Sequence, residues 1–337
     1  MAESGPHCFA LRSKAMGGGT QNKKFQPNLR SIVRRFGQAW PPQAEAAGVF
    51  EQRLTRMKQK RENGSREVGL KIGWICGEYF LKLEHLHYGY WTSELPVDIT
   101  NLRCAQEAYV KFLLSHIPEG IKTILDVGCG AGRVAKKLLA MGYAVDCVSP
   151  SAFLTEQTRQ AVAEECEIFE CGYEELETEK RYDLIMFVES FQYIDLPEAM
   201  ANTAKFLNAG GSMLICDIFK KEVGEKSRQS GGHDLSKLFN LVETYPFTLV
   251  EDIDITEQTA PNIDLMNDAL EKVAKPVADT IADFLAERYP TVFKLLSWKY
   301  QEELEKINKK YSGGSRTGEQ FKQFKSYRLL RYRKNDH

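Results

Sequence analysis

The sequence predicts a doubly wound α/β fold, a mostly parallel sheet covered by helices on both faces. Three observations carry this. Between residues 123 and 216, short apolar runs alternate with segments of helical period. The runs at 123–127, 144–148 and 183–188 are apolar almost throughout rather than alternating, as strands buried on both faces require. The first run leads straight into a bend with glycines at 128, 130 and 132, and a helical pattern follows.

Taken in order, residues 1–66 form a basic leader without sustained periodicity, expected to be disordered or partly helical. Residues 67–118 hold N-terminal helices, one near 68–83 and one near 100–116. Between them lies an aromatic run, His87-Tyr88-Gly89-Tyr90-Trp91. The core, 119–261, reads as strand 123–127, helix 133–141, strand 144–148, helix 152–163, short strand 167–170, strand 183–188, helix 197–207, turn 208–211 and strand 212–216. A strand that alternates like a half-exposed one follows at 247–255. Residues 262–312 carry a helical insertion whose apolar stripe (Val273, Val277, Ile281, Phe284 and Trp298 among others) is expected to be buried, because it is large. Residues 313–337 hold the last strand, near 327–332, and a tail.

The composition is that of an ordinary globular protein, 43% hydrophobic and 27% charged over 337 residues. No run approaches the roughly 18 apolar residues of a membrane span, and the first thirty residues lack a secretory apolar core. Eight cysteines show neither CxxC pairs nor metal-ligand spacing, which suggests free thiols in a reducing, cytoplasmic setting. Residues 1–66 carry 13 Lys+Arg against 4 Asp+Glu, or +9, and the rest of the chain is at −10. A body of that charge argues against a nucleic-acid groove. Peripheral contact of the basic leader with anionic lipid stays open.

The chemistry is concentrated in Asp126-Val127-Gly128-Cys129-Gly130-Ala131-Gly132-Arg133. Glycines permit positive φ and close approach of backbone to a ligand, and the N–H groups opening the next helix face that ligand. A dinucleotide fingerprint needs GxGxxG, but Arg133 stands where its third glycine belongs. Asp126, two residues ahead of Gly128, would repel a pyrophosphate and can pair with an ammonium group. The pattern therefore points to a zwitterionic ligand with an amino-acid end, and S-adenosylmethionine (SAM) is one.

This stretch resembles motif I of the class I SAM-dependent methyltransferases. The resemblance extends over roughly 120–255, through Tyr182-Asp183-Leu184-Ile185, Glu189-Ser190-Phe191-Gln192-Tyr193-Ile194 and Leu207-Asn208-Ala209-Gly210-Gly211-Ser212. It implies a Rossmann-like, seven-stranded sheet with only the last strand antiparallel, a lid at 262–312, and SAM converted to S-adenosylhomocysteine. It also implies that Asp126, Gly128, Cys129, Gly130 and Gly132 surround the methionine half of SAM, that Glu174 lies toward the adenine and that Ser149 stands at the ribose. Tyr90 is expected as a further cofactor contact. The family usually places an acid at the Ser149 position, and a hydroxyl there resembles the cyclopropane-fatty-acid-synthase-like branch. That branch holds bicarbonate with a cysteine and a glutamate, where this chain has Tyr88 and Gln192.

Simple methyl transfer to a small, amphipathic or lipid-like acceptor is therefore expected, by in-line displacement. Glu189, His87 and Tyr88 are the candidate catalytic groups, with Glu189 directly after a buried strand where ligands bind. Asp217, ending another strand, is a candidate to line the pocket. The alternatives are a cyclopropane-forming lipid enzyme and a SAM-binding module without catalysis.

Overall fold

A computed structural model describes residues 67–222, 231–302, 305 and 317–336. The basic leader, residues 303–304 and 306–312 of the insertion and residues 313–316 after it lie outside the described residues.

The sheet is built from β1 (Thr123–Val127), β2 (Ala144–Val148), β3 (Ile168–Phe169), β4 (Tyr182–Val188), β5 (Leu207–Lys220), β7 (Phe247–Asp254) and β8 (Lys325–Lys334), in the order β3-β2-β1-β4-β5-β8-β7. A two-residue strand, β6 (His233–Asp234), pairs with the end of β5 and makes eight strands where seven were expected. β8 runs antiparallel to both β5 and β7, and the remaining pairs are parallel. The expected turn at 208–211 is instead the opening of β5. A register shift opposite Tyr182 and Leu184, with Gly210 at φ +69°, takes up the irregularity within the ladder.

Helices cover both faces. They are α1 (67–81), α2 (Leu102–Ser115), α3 (Arg133–Ala140), α4 (Ala152–Val162), α5 (Leu196–Phe206), α6 (Leu235–Val242), α7 (Thr256–Thr259), α8 (Pro261–Ala269), α9 (Lys275–Arg288), α10 (Pro290–Lys299) and α11 (Gly318–Phe324). Side chains alternate across the sheet. Leu125, Val127, Ile185 and Phe187 therefore meet Met200 and Phe206 of α5 and Leu238 of α6. Ile124, Leu184 and Met186 point the other way, toward Tyr109 and Leu113 of α2 and Leu138 of α3. This double burial is why the strands read as continuous apolar runs. Helix starts follow the side-chain chemistry: Ser151 caps α4 through the Leu154 amide at 3.2 Å, and Asp195 caps α5, with Pro197 in its first turn.

The insertion departs from expectation. Among its described residues only the root is buried, at Asn262 and Ile263, and its stripe faces water at Val273, Val277, Ile281, Phe284 and Trp298. The sheet face that carries Ile124, Leu184 and Met186 is already occupied by α2, α3 and Phe321 of α11. Among the described residues, no helix is long and apolar enough to cross a membrane.

Candidate active site

The glycine bend sits at the carboxyl ends of β1 and β2. Gly128, Gly130 and Gly132 adopt φ of 77°, 58° and 73°. The Gly128 amide donates to the Val148 carbonyl at 2.8 Å, which draws the bend onto the end of β2. A methyl group added at Gly128 would lie 2.3 Å from Cβ of Ser190, and one at Gly132 would lie 2.8 Å from Cγ2 of Thr158. At Gly130 it would meet nothing within 4 Å. The outer glycines thus let the β4 turn and α4 close in, and Gly130 leaves its side of the bend open to a ligand. Cys129 is buried between them, its Sγ 3.6 Å from Oγ1 of Thr158.

Asp126 lies beneath the bend, 1% exposed. Its Oδ2 is buried and has no hydrogen-bond partner in the protein. Burial alone raises its carboxyl to about 7. A desolvated carboxylate is costly until a cation or donor reaches it. Beside an open glycine bend, this orphaned oxygen fits an ammonium group, so the residues present suit the amino-acid end of SAM. Ser149, at the end of β2, is buried and its Oγ accepts the Ser151 amide at 3.4 Å. Asp146 of β2 turns away, and its Oδ2 accepts from Lys180 at 2.7 Å and from Tyr182 at 2.9 Å.

Glu189 follows β4 directly and has φ of +54°. A non-glycine residue in that region is strained by about 1–2 kcal/mol. Its Oε1 accepts two hydrogen bonds of 2.7 Å, from the Tyr88 amide and from the Tyr327 hydroxyl. Burial nevertheless dominates and raises its carboxyl to about 8, with neighbouring Asp217 adding to the rise. Asp217 itself is raised to about 7 by burial, although it accepts from the Ile218 and Gln192 amides at 2.7 and 3.0 Å and from the Gln192 side chain at 2.9 Å. Gln192 also accepts from the Gly232 amide, so both ends of its amide are engaged within the protein.

The aromatic run is a clipped loop. Asn262 accepts the Gly89 amide at 2.8 Å and donates to the Gly89 carbonyl at 2.7 Å. Gln106 donates to the carbonyls of His85 and His87. These clips set the Tyr88 amide on Glu189. The His87 ring stacks on Tyr109 at 4.5 Å, and its Nδ1 donates to the Tyr88 carbonyl at 2.8 Å. Burial lowers its pKa to about 3, with His85 contributing, so the ring stays neutral.

The structure brings Glu189, Tyr88 and His87 into one neighbourhood and places Asp126 and the glycines at the adjoining strand ends. Tyr90 instead stacks on Phe112 of α2 at 5.0 Å. The Glu174 carboxylate accepts the Asp195 amide at the start of α5, at 3.2 Å. Sequence reasoning missed Tyr327, Tyr109 and Asn262. Alternation along β8 could have paired Tyr327 with Leu329 on one face, but nothing local said which face meets the site.

Comparison with known proteins agrees with this fold. The profile of a family described as "Methyltransferase domain" matches residues 124–211, from β1 into β5. The ubiquinone biosynthesis O-methyltransferase of Rickettsia akari is 26% identical over 200 residues, covering 52% of this chain and 78% of that protein. Its counterpart in Rickettsia canadensis is 24% identical over 147 residues, covering 41% of this chain and 61% of that protein. Among solved structures, geranyl diphosphate C-methyltransferase from Streptomyces coelicolor A3(2), in complex with Mg2+, geranyl diphosphate and S-adenosyl-L-homocysteine, has a TM-score of 0.53 at 17% identity, over 77% of this chain and 92% of that one. A geranyl diphosphate methyltransferase in complex with SAM gives 0.52 at 18% identity, over 74% and 98%. At such identities the structures speak for the fold, and the sequence matches speak for the domain. The chain is a class I SAM-dependent methyltransferase.

Proposed function

We propose that the chain methylates a small, amphipathic acceptor, with Asp126 holding the ammonium group of SAM, the 128–132 bend cradling its amino-acid end and Ser149 meeting its ribose. When bound, SAM supplies a methyl group made electrophilic by its sulfonium. The protein's task is then to align an acceptor lone pair behind that carbon and to exclude water. In this reading Glu189 is the general base, and Tyr88 fixes it through its amide. A neutral His87 packs behind the site instead of acting as the base, because a buried ring held at about 3 is a poor proton acceptor. Tyr90 and Glu174 support the cofactor pocket from its edges.

The observation that carries the reading is the orphaned, buried Oδ2 of Asp126 beside the open bend at Gly130. An amphipathic acceptor is in keeping with the helical arm α8–α10. Its root, Asn262, grips the loop that positions Glu189, and most of its large apolar side chains stay exposed. A relative's acceptor, geranyl diphosphate, likewise joins an apolar chain to a charged head. A small molecule suits the −10 charge of residues 67–337 better than a nucleic acid does. The cytoplasmic setting that the free cysteines suggest belongs to the same proposal.

Calorimetry with S-adenosylhomocysteine tests the cofactor site. The expected result is binding that Asp126→Ala weakens at least tenfold, and equal affinity in the variant would sink the assignment. Release of S-adenosylhomocysteine against a panel of phenols, amines and isoprenoid acceptors then separates an enzyme from a mere binding module. Deleting 265–305 is expected to change which acceptors turn over.

A further inference from the structure

A buried chain of hydroxyls runs behind Glu189. Tyr327 of β8 donates to Oε1 of Glu189 at 2.7 Å. The Tyr327 oxygen lies 2.9 Å from the hydroxyl of Tyr109 on α2. Both tyrosines are fully buried. Each hydroxyl has one proton to give. With Tyr327 donating to the carboxylate, the short contact between the tyrosines is filled by the Tyr109 proton. The longer contact from Tyr109 to the Cys216 carbonyl, 3.5 Å, is the weaker alternative. The chain therefore has a direction, Tyr109 to Tyr327 to Glu189.

It also sorts the two carboxylate oxygens. Both hydrogen bonds on Glu189 fall on Oε1, from Tyr327 on one element and the Tyr88 amide on another. Oε2 carries neither, and the carboxyl plane is fixed by two donors that cannot both follow a rotation.

We propose that Tyr327, backed by Tyr109, is a positioning residue that holds Oε1 of Glu189 as a pure acceptor and turns Oε2 toward the acceptor as the proton-accepting atom. This rests on the reading of Glu189 as general base. It also narrows the substrate to acceptors that lose a proton on methylation, a hydroxyl or an acidic carbon. In the balanced step, the acceptor's electron pair forms the new bond to the methyl carbon. The carbon–sulfur bond breaks with its pair going to sulfur, and the acceptor's proton passes to Oε2.

The groups facing this carboxyl are Tyr88 from the loop, Tyr109 from α2, Asp217 and Cys216 from β5 and Tyr327 from β8. Burial raises Glu189, Asp217 adds to the rise, and the hydrogen bonds from Tyr327 and Tyr88 oppose it. Removing the Tyr327 hydroxyl must therefore move the titration upward.

The test is Tyr327→Phe, read in two ways. In ligand-free protein, the carboxyl stretch of Glu189, assigned by its loss in Glu189→Gln, is titrated by difference infrared spectroscopy. The midpoint is expected to rise by roughly one pH unit, and by less in Tyr109→Phe. In turnover assays the limb that rises with pH is expected to move by the same amount, so that activity lost at pH 7 returns at high pH. An infrared midpoint unchanged in Tyr327→Phe overturns the proposal. Glu189→Gln with undiminished turnover and an unchanged limb would instead overturn the base reading, which Tyr327→Phe alone cannot do.

Discussion

Asp126 concentrates the tension between stability and function in one side chain. Its carboxyl is held at about 7 by burial, against about 3.9 for an unfolded aspartate. Between those values the native state keeps a proton that the unfolded chain has released. Ligand-free protein therefore loses stability from this group as pH rises through that window, by about 1.4 kcal/mol per unit of pKa difference. His85 and His87, lowered to about 4 and about 3, act in the opposite sense and destabilise as pH falls below the ordinary histidine range. Comparing Asp126→Asn with the unsubstituted protein isolates the aspartate. The variant's stability advantage is expected to grow between pH 4 and pH 7 in thermal melts, and an advantage that stays flat would refute the account. The place of Asp126 beneath the bend was legible in the sequence, because it follows from spacing to the glycines. Tyr327 was not, because a tyrosine in an alternating strand has the same sequence signature whether it meets solvent, core or carboxylate.

At the scale of elements, the site depends on a loop with no regular structure, residues 85–91, held by side chains from elsewhere. Asn262 makes two hydrogen bonds to Gly89 and a third to the Thr259 carbonyl at 2.7 Å. Gly89 is required because a methyl group there would lie 2.5 Å from Cβ of Ala105. Asn262→Ala leaves the Gly89 amide and carbonyl without these partners, and is expected to cost roughly 2–3 kcal/mol. Amide exchange at Gly89 and Tyr88 should quicken, and turnover should fall through the loosened contact on Glu189. Exchange rates unchanged in the variant would show that α2 and Gln106 hold the loop without it. Periodicity found most strands and helices of the core to within about two residues, but it cut β5 down to 212–216 where the strand runs Leu207–Lys220, and it passed over α6. It found the aromatic run as a motif, but it could not reveal the clip, which joins positions 173 residues apart.

For the whole molecule, the apolar material divides into a packed core on two sheet faces and an arm left largely wet. Phe284 is 60% exposed and Trp298 is 75% exposed, whereas Leu138 is fully buried. Phe284→Ser and Trp298→Ser are expected to change unfolding free energy by less than about 0.5 kcal/mol, as surface substitutions do. Leu138→Ala should cost roughly 2–5 kcal/mol. Denaturant titration checks both, and a large loss from either arm variant would mean that the arm is folded against the body in solution. The expectation that this stripe is buried failed for a global reason. A helical period says that one face is apolar, and a sheet already covered by α2, α3 and α11 has no room for another.

The sequence by itself determined the strand–bend–helix unit, its glycines, the aspartate beneath them and the succession of central strands along the chain, because each follows from local conformational preference and the period of side chains. Tertiary structure alone decided which carboxylate oxygen of Glu189 takes both hydrogen bonds, which tyrosines stand behind it and what the helical arm leaves exposed. Those are matters of distance between segments far apart in the chain, and they are set only when two sheet faces compete for the same helices.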